Sequence, residues 1–142
     1  MDEIKVCTSG YYNPIHLGHL QCLERSKELG DYLIVFVDSD EKAIRKNGYS
    51  FMPQNERAEI IKAIKYVDEV VLINIPVSEA IKIYAKDCKY FTKGGDRTLD
   101  NLPKDEIEVC KEFGIEIICG LGDKIQSSSE LVRKAKKYEK GL

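Results

Sequence analysis

The sequence lacks any apolar run near the roughly 18 residues that a membrane span needs, so no membrane partner is expected. It lacks an excess of either charge. Lys plus Arg number 22 and Asp plus Glu 24, for a formal net charge of −2. That balance speaks against coating nucleic acid by bulk charge, and leaves room for a local basic pocket around a small anion. It also lacks a C-x-x-C pair. The five cysteines, Cys7, Cys22, Cys88, Cys110 and Cys119, are odd in number. Neither a zinc site nor a complete disulfide framework is favoured, and reduced, buried thiols are expected instead. Repeats, linkers and low-complexity stretches are missing too. Met1-Asp2-Glu3-Ile4-Lys5 carries no secretory pattern, so the expected location is cytoplasmic. What is present, 142 residues at 43% hydrophobic and 32% charged, suits one soluble domain over residues 1–142.

Short apolar runs alternate with longer amphipathic ones. Strands are predicted at Ile4 to Thr8, Tyr32 to Val37, Glu69 to Ile73, Lys89 to Thr92 and Ile115 to Cys119. The unbroken run Tyr32-Leu33-Ile34-Val35-Phe36-Val37 is the pattern of a strand buried on both faces. Helical spacing predicts helices at Leu17 to Leu29, stopped by Gly30, and at Gln54 to Tyr66. Others run from a Ser78 cap through Lys86, from Lys104 to Phe113 with Gly114 as the stop, and from Ser127 to Tyr138. Residues 39–53 are polar and read as a loop with at most a short helix. This alternation predicts a Rossmann-like, doubly wound α/β domain: a five-stranded parallel sheet with helices on both faces. Ligands of such sheets bind beyond the carboxyl ends of the strands, where the strand order reverses.

The segment after the first strand is Ser9-Gly10-Tyr11-Tyr12-Asn13-Pro14-Ile15-His16-Leu17-Gly18-His19. It holds the only two histidines, three apart, which puts both imidazoles on one face of an opening helical turn. Free N–H groups there attract phosphate. Gly10 and Gly18 would let a phosphate or nucleoside approach the backbone. Two imidazoles over bound phosphates can donate hydrogen bonds where charge builds on a leaving oxygen.

His16-Leu17-Gly18-His19 resembles the H-x-G-H signature of the nucleotidyltransferase superfamily that includes the cytidylyltransferases. The likeness extends along the chain. Leu29-Gly30-Asp31-Tyr32-Leu33-Ile34-Val35 is similar to the second-strand block of those enzymes. Glu56-Arg57 with Tyr66-Val67-Asp68-Glu69-Val70 is similar to a segment of small bacterial cytidylyltransferases. Lys93-Gly94-Gly95-Asp96 resembles a stretch of heptose-1-phosphate adenylyltransferases, and Ser127-Ser128-Ser129 the triplet that opens the last helix. Asn13-Pro14 before the first histidine is closer to the nicotinate-mononucleotide adenylyltransferases.

The resemblance implies transfer of CMP or AMP from CTP or ATP to a phosphorylated acceptor, with release of pyrophosphate. A sugar or polyol phosphate of the glycerol 3-phosphate or heptose 1-phosphate type is the first expectation. A cofactor-type adenylyltransferase acting on nicotinate or nicotinamide mononucleotide, flavin mononucleotide or phosphopantetheine is the alternative. A nucleotide-binding sensor without turnover is a second, and a flavodoxin-like carrier would leave the histidines idle. The resemblance also implies a homodimer. It assigns catalytic roles to His16, His19, Lys46 and Ser128. Gly10, Tyr11, Tyr12, Gly18, Gly94, Gly95, Asp96, Arg97, Ser127 and Ser129 are expected around the nucleotide, and Asn13, Asp40 and Arg57 around the acceptor. Mg²⁺ would ride mainly on the nucleotide phosphates, so no protein metal ligands are expected.

Overall fold

The computed structural model describes residues 3–95, 97–122 and 128–141. The elements run β1 (Lys5–Gly10), α1 (Leu17–Glu28), β2 (Tyr32–Asp38), α2 (Asp40–Asn47), α3 (Gln54–Lys62), β3 (Glu69–Ile73) and α4 (Val77–Tyr84). Then follow β4 (Tyr90–Gly94), a 3₁₀ turn (Leu99–Asn101), α5 (Lys104–Phe113), β5 (Glu116–Leu121) and α6 (Ser128–Gly141). The five strands pair in the order β3-β2-β1-β4-β5, and every pairing is parallel. This is the expected Rossmann-like α/β architecture. The order reverses beside β1, whose neighbours are β2 and β4.

Alternation along β1 and β2 builds two cores. Cys7, Ile34 and Phe36 pack with Phe91 against Ile81 of α4 and Val109 of α5. Val6, Leu33, Val35 and Val37 pack on the opposite face against Leu23 of α1 and Ile61 of α3. Both faces of β2 are thereby covered, which is why its sequence shows no alternation of polar and apolar residues. Cys7, Cys88 and Cys110 lie in the first of these cores, and all five cysteines are free. The Cys7 thiol is raised well above its usual value by its hydrogen bond to Cys88 and by burial. Among the described residues, no helix is long and apolar enough to cross a membrane.

Two expectations change, and the short helix allowed for in residues 39–53 is present. The polar stretch 39–53 contains α2, whose Ser39 hydroxyl accepts the Lys42 amide at 3.1 Å. That helix ends on Gly48 at φ 84°, a conformation glycine adopts without strain. Ser78 does not cap α4: Pro76 precedes the helix, and the Ser78 hydroxyl donates to Asp105 Oδ2 at 2.7 Å. The helix read to Tyr66 stops at Lys62.

Gly30 follows α1 as expected, for a packing reason. A Cβ there would lie 2.6 Å from the Ile4 carbonyl oxygen. That carbonyl accepts the amides of Asp31 and Tyr32 and ties the helix exit to the start of β1. Gly30→Ala should therefore destabilise the protein by about 1–3 kcal/mol, the usual cost of forcing atoms into a packed site. A lowered urea midpoint at unchanged slope is the expected readout.

Candidate active site

Past β1 the chain turns, and α1 starts with His16 as its N-cap in extended backbone, φ −145° and ψ 178°. The two histidines cap each other's turn. The Gly18 amide donates to His16 Nδ1 at 3.1 Å, and the His16 amide donates to His19 Nδ1 at 3.1 Å. Imidazoles here do what a Ser-x-x-Glu capping box does elsewhere. An accepting Nδ1 in a neutral ring places the hydrogen on Nε2. Each ring thus keeps one N–H donor beyond the helix. The rings stack with centroids 3.8 Å apart at 24°, and Tyr12 meets His19 edge-on at 5.0 Å. The Gly18 amide, expected to be free for phosphate, is already taken by His16.

Burial keeps both rings neutral. It lowers His16, and with the neighbouring His16 charge it pushes His19 down to about 3. Between about pH 6.5 and 3 an unfolded chain takes up a proton at this residue that the folded one refuses. Stability from this source is unchanged above pH 6.5 and falls as the pH drops through that window, by at most about 1.4 kcal/mol per pH unit. Comparing urea midpoints of the wild type and His19→Gln between pH 7 and 5 checks this: the variant should lose part of the slope.

Both histidines line a cavity of about 610 Å³ at the carboxyl ends of β1, β2 and β4, where the strand order reverses. Lys42, Lys46, Lys93 and Arg97 supply its positive charge, and Asp38, Asp105 and Glu106 its negative charge. Lys42 Nζ donates to Asp38 Oδ1 at 2.5 Å and to the Ile75 carbonyl at 2.8 Å. Burial still raises the Asp38 carboxyl, and Lys42 opposes that rise. Lys93 Nζ donates to Ser9 Oγ at 3.1 Å and lies 3.2 Å from Glu106 Oε1. Lys46 sits over the Tyr11 ring, 5.0 Å from its centroid. Its ammonium is lowered by burial and then by the Arg97 charge. Among the described residues no carboxylate forms an ion pair with Lys46, which leaves it available to an anion in the cavity.

Several expected site residues are placed here as well. Gly10 lines the cavity, but a Cβ on it would meet the Tyr12 ring at 2.8 Å, so glycine is needed there for the tyrosine. Tyr12, expected around the nucleotide, lines the cavity but is buried and, despite φ 53°, held between Gly10 and His19. Tyr11, Gly94, Gly95 and Arg97 all line the cavity. Gly94 lets β4 approach Cys22, whose sulfur would be 2.9 Å from a Cβ. Arg97 Nη1 donates to the Asn101 carbonyl at 3.1 Å.

Asn13, Asp40 and Arg57, expected around the acceptor, are not among the cavity's lining residues. Arg57 is 1% exposed. Its Nη1 donates to the carbonyls of Tyr11 (2.6 Å) and Asp38 (2.7 Å). Its Nε donates to Met52 O (2.9 Å) and its Nη2 to Asp40 Oδ1 (2.7 Å). Asn13 Oδ1 accepts the Met52 amide at 2.6 Å, and Asp40 also accepts from Ser50 Oγ. The three side chains form a brace behind the site that joins the end of β1, the end of β2 and the segment before α3.

Asp96 and Ser127 lie outside the described residues. Ser128 and Ser129 open α6, with side chains outside the description. Five charged residues that were not selected as site residues line the cavity: Asp38, Lys42, Lys93, Asp105 and Glu106. The first three carried a usable signal, since each lies at or within four residues of the carboxyl end of β2 or β4. Glu106 carried none, because an acid in a helix's first turn is ordinarily explained by the helix dipole.

A model of the cytidylyltransferase-like family matches residues 7–135. Ethanolamine-phosphate cytidylyltransferase of Mus musculus is 34% identical over 111 residues, covering 78% of this chain and 28% of that protein. FAD synthase of Pyrococcus horikoshii is 45% identical over 71 residues, 49% of this chain and 48% of that one. Glycerol-3-phosphate cytidylyltransferase of Bacillus subtilis is 42% identical over 67 residues, 47% of this chain and 52% of that one. The matches thus span about half or less of these curated relatives' length. Among solved structures, the lipopolysaccharide core biosynthesis protein from Thermoplasma volcanium superposes with a TM-score of 0.71 at 30% identity, covering 85% of this chain and 98% of that one.

Proposed function

This chain belongs to the cytidylyltransferase-like family, and on that premise we propose that it transfers CMP or AMP from CTP or ATP to the phosphate of a small phosphorylated acceptor, releasing pyrophosphate. One observation carries the reading. With each Nδ1 accepting a backbone amide, each histidine keeps an Nε2–H donor, and both residues line a cavity that also holds Lys46. Such donors suit a triphosphate whose bridging oxygen gains charge as the bond to the α-phosphorus breaks.

The acceptor's phosphate oxygen attacks the α-phosphorus in line with the departing pyrophosphate. A phosphate monoester is already largely ionised at neutral pH, its second pKa being about 6, so no general base is needed. Positioning and charge neutralisation supply the catalysis. His16 and His19 hold the phosphates, Lys46 takes the α- or β-phosphate, and the start of α6 takes the far end of the triphosphate. Among the described residues no group of three or more His, Cys, Asp or Glu could hold a metal. Mg²⁺ would come with the triphosphate as its counter-ion, keeping most of its waters.

Relatives named as phosphate cytidylyltransferases support an alcohol or sugar phosphate as acceptor. The likeness to FAD synthase supports a second reading, an adenylyltransferase acting on flavin mononucleotide. Pyrophosphate release with CTP or ATP, measured across a panel of phosphorylated acceptors, tests the proposal. Release that depends on one acceptor class is expected. Nucleotide binding with no release from any acceptor would leave a sensor and overturn it.

A further inference from the structure

The cavity holds three carboxylates, and two of them have their needs met by the protein. Asp38 Oδ1 accepts from Lys42, and Asp105 Oδ2 accepts from the Ser78 hydroxyl. Glu106 differs. It is 7% exposed, and its Oε1 is buried with no hydrogen bond. Lys93 Nζ stands 3.2 Å away as an ion-pair partner and also donates to Ser9 Oγ, so its charge offsets that of Oε1 and leaves room on the oxygen for a hydrogen-bond donor. A carboxylate oxygen can accept two hydrogen bonds, and a buried one rarely goes without any. An oxygen in that state on a cavity wall is matched by a ligand that brings a donor.

The wall around it is separate from the phosphate grip. Glu106 comes from the first turn of α5, and Pro76, Val77 and Pro103 line the cavity from the β3–α4 and β4–α5 connections. The histidines come from β1 and α1. This wall therefore falls to the acceptor, on the opposite side of the reacting phosphorus from pyrophosphate. The donor's charge follows from its neighbours. Lys93 is already beside Glu106, and Lys46 and Arg97 line the same cavity. A second ammonium at Oε1 would face Lys93 at contact range, whereas a neutral hydroxyl meets the carboxylate without that repulsion.

We propose that Glu106 selects the acceptor by taking a hydrogen bond from a hydroxyl on its non-phosphate end, so that phosphorylated polyols or sugars are used in preference to amino-alcohol phosphates. The assignment rests on the transfer reading above and goes further, to a specificity-determining residue and the chemistry it recognises.

Kinetics on the full chain with Mg²⁺ and CTP or ATP provide the test. Glycerol 3-phosphate and sugar 1-phosphates are the hydroxyl-bearing acceptors, phosphoethanolamine and phosphocholine the cationic ones, and flavin mononucleotide the aromatic one. The wild type should prefer a hydroxyl-bearing acceptor. Deleting the recognised hydroxyl from that acceptor should raise KM at least about tenfold, the scale of one hydrogen bond to a charged group. Glu106→Ala should raise the KM of the intact acceptor by a similar factor and be indifferent to the deoxy analogue. Its nucleotide KM should stay within about threefold, and Glu106→Gln, which keeps an accepting oxygen, should recover part of the loss. If Glu106 served only to hold Lys93, Glu106→Ala would impair the deoxy analogue as much as the intact acceptor and nucleotide KM would move with acceptor KM; that result overturns the assignment. So does wild-type preference for an amino-alcohol phosphate or flavin mononucleotide, which needs no variant to observe. Nucleotide binding without pyrophosphate from any acceptor removes the transfer reading and this one together.

Discussion

His19→Ala lowers turnover by at least about a hundredfold, the scale for losing one preorganised donor. The variant loses the Nε2–H donor proposed for the phosphates and also the Nδ1 that accepts the His16 amide. His16 keeps its bond from Gly18 but loses the ring stacked on it at 3.8 Å. Removing both rings should therefore cost less than the product of the two single losses, as expected for groups that act as a unit. Because burial holds His19 far below its usual pKa, the wild-type rate should show no titration of this residue near pH 6.5. Steady-state pyrophosphate release at saturating substrates is the measurement. A turnover close to wild type in His19→Ala would remove the histidines from the mechanism.

Arg57→Ala destabilises the protein by about 3–5 kcal/mol, the range for removing one partner of a buried ionic network. The guanidinium reaches four oxygens from three parts of the chain: Tyr11, Asp38 with Asp40, and Met52. Arg57→Lys should not restore it, since one ammonium cannot span a fork of that width. Chemical denaturation reads the effect directly. An Arg57 that touched the acceptor would give the opposite pattern, a raised acceptor KM at unchanged denaturation midpoint.

The contrast between these two sites shows what the amino-acid order reveals and what it hides. The His-x-x-His spacing announces two rings on one helical turn, because that relation is local. Arg57 sits in a Glu-Arg block that reads as ligand-binding, yet its partners at Tyr11 and Asp38 are 46 and 19 residues away. No local pattern distinguishes a guanidinium that faces solvent from one that folding has enclosed. The elements follow the same division. β3 and α5 have the bounds expected of them, α5 because Pro103 precedes it and Gly114 ends it with φ 68°. In α2 only Ala43 is buried, so a period of apolar residues has almost nothing to act on, although Ser39 and Gly48 mark its two ends. Glu106 is invisible for a third reason. Its importance lies in a buried oxygen that has an ion-pair partner but no hydrogen bond, a property of the assembled cavity alone.

The parallel sheet has a consequence for engineering. All five strands point the same way, so each wall of the cavity is a separate connection grafted onto a common frame. On the proposed reading the triphosphate end is anchored where β1 passes into α1, at the centre of the sheet. The opposite wall hangs on the entries to α4 and α5, farther along the chain. Exchanging the short segments 75–78 and 102–107 with those of another family member should retarget the molecule to a new acceptor and leave its nucleotide preference in place.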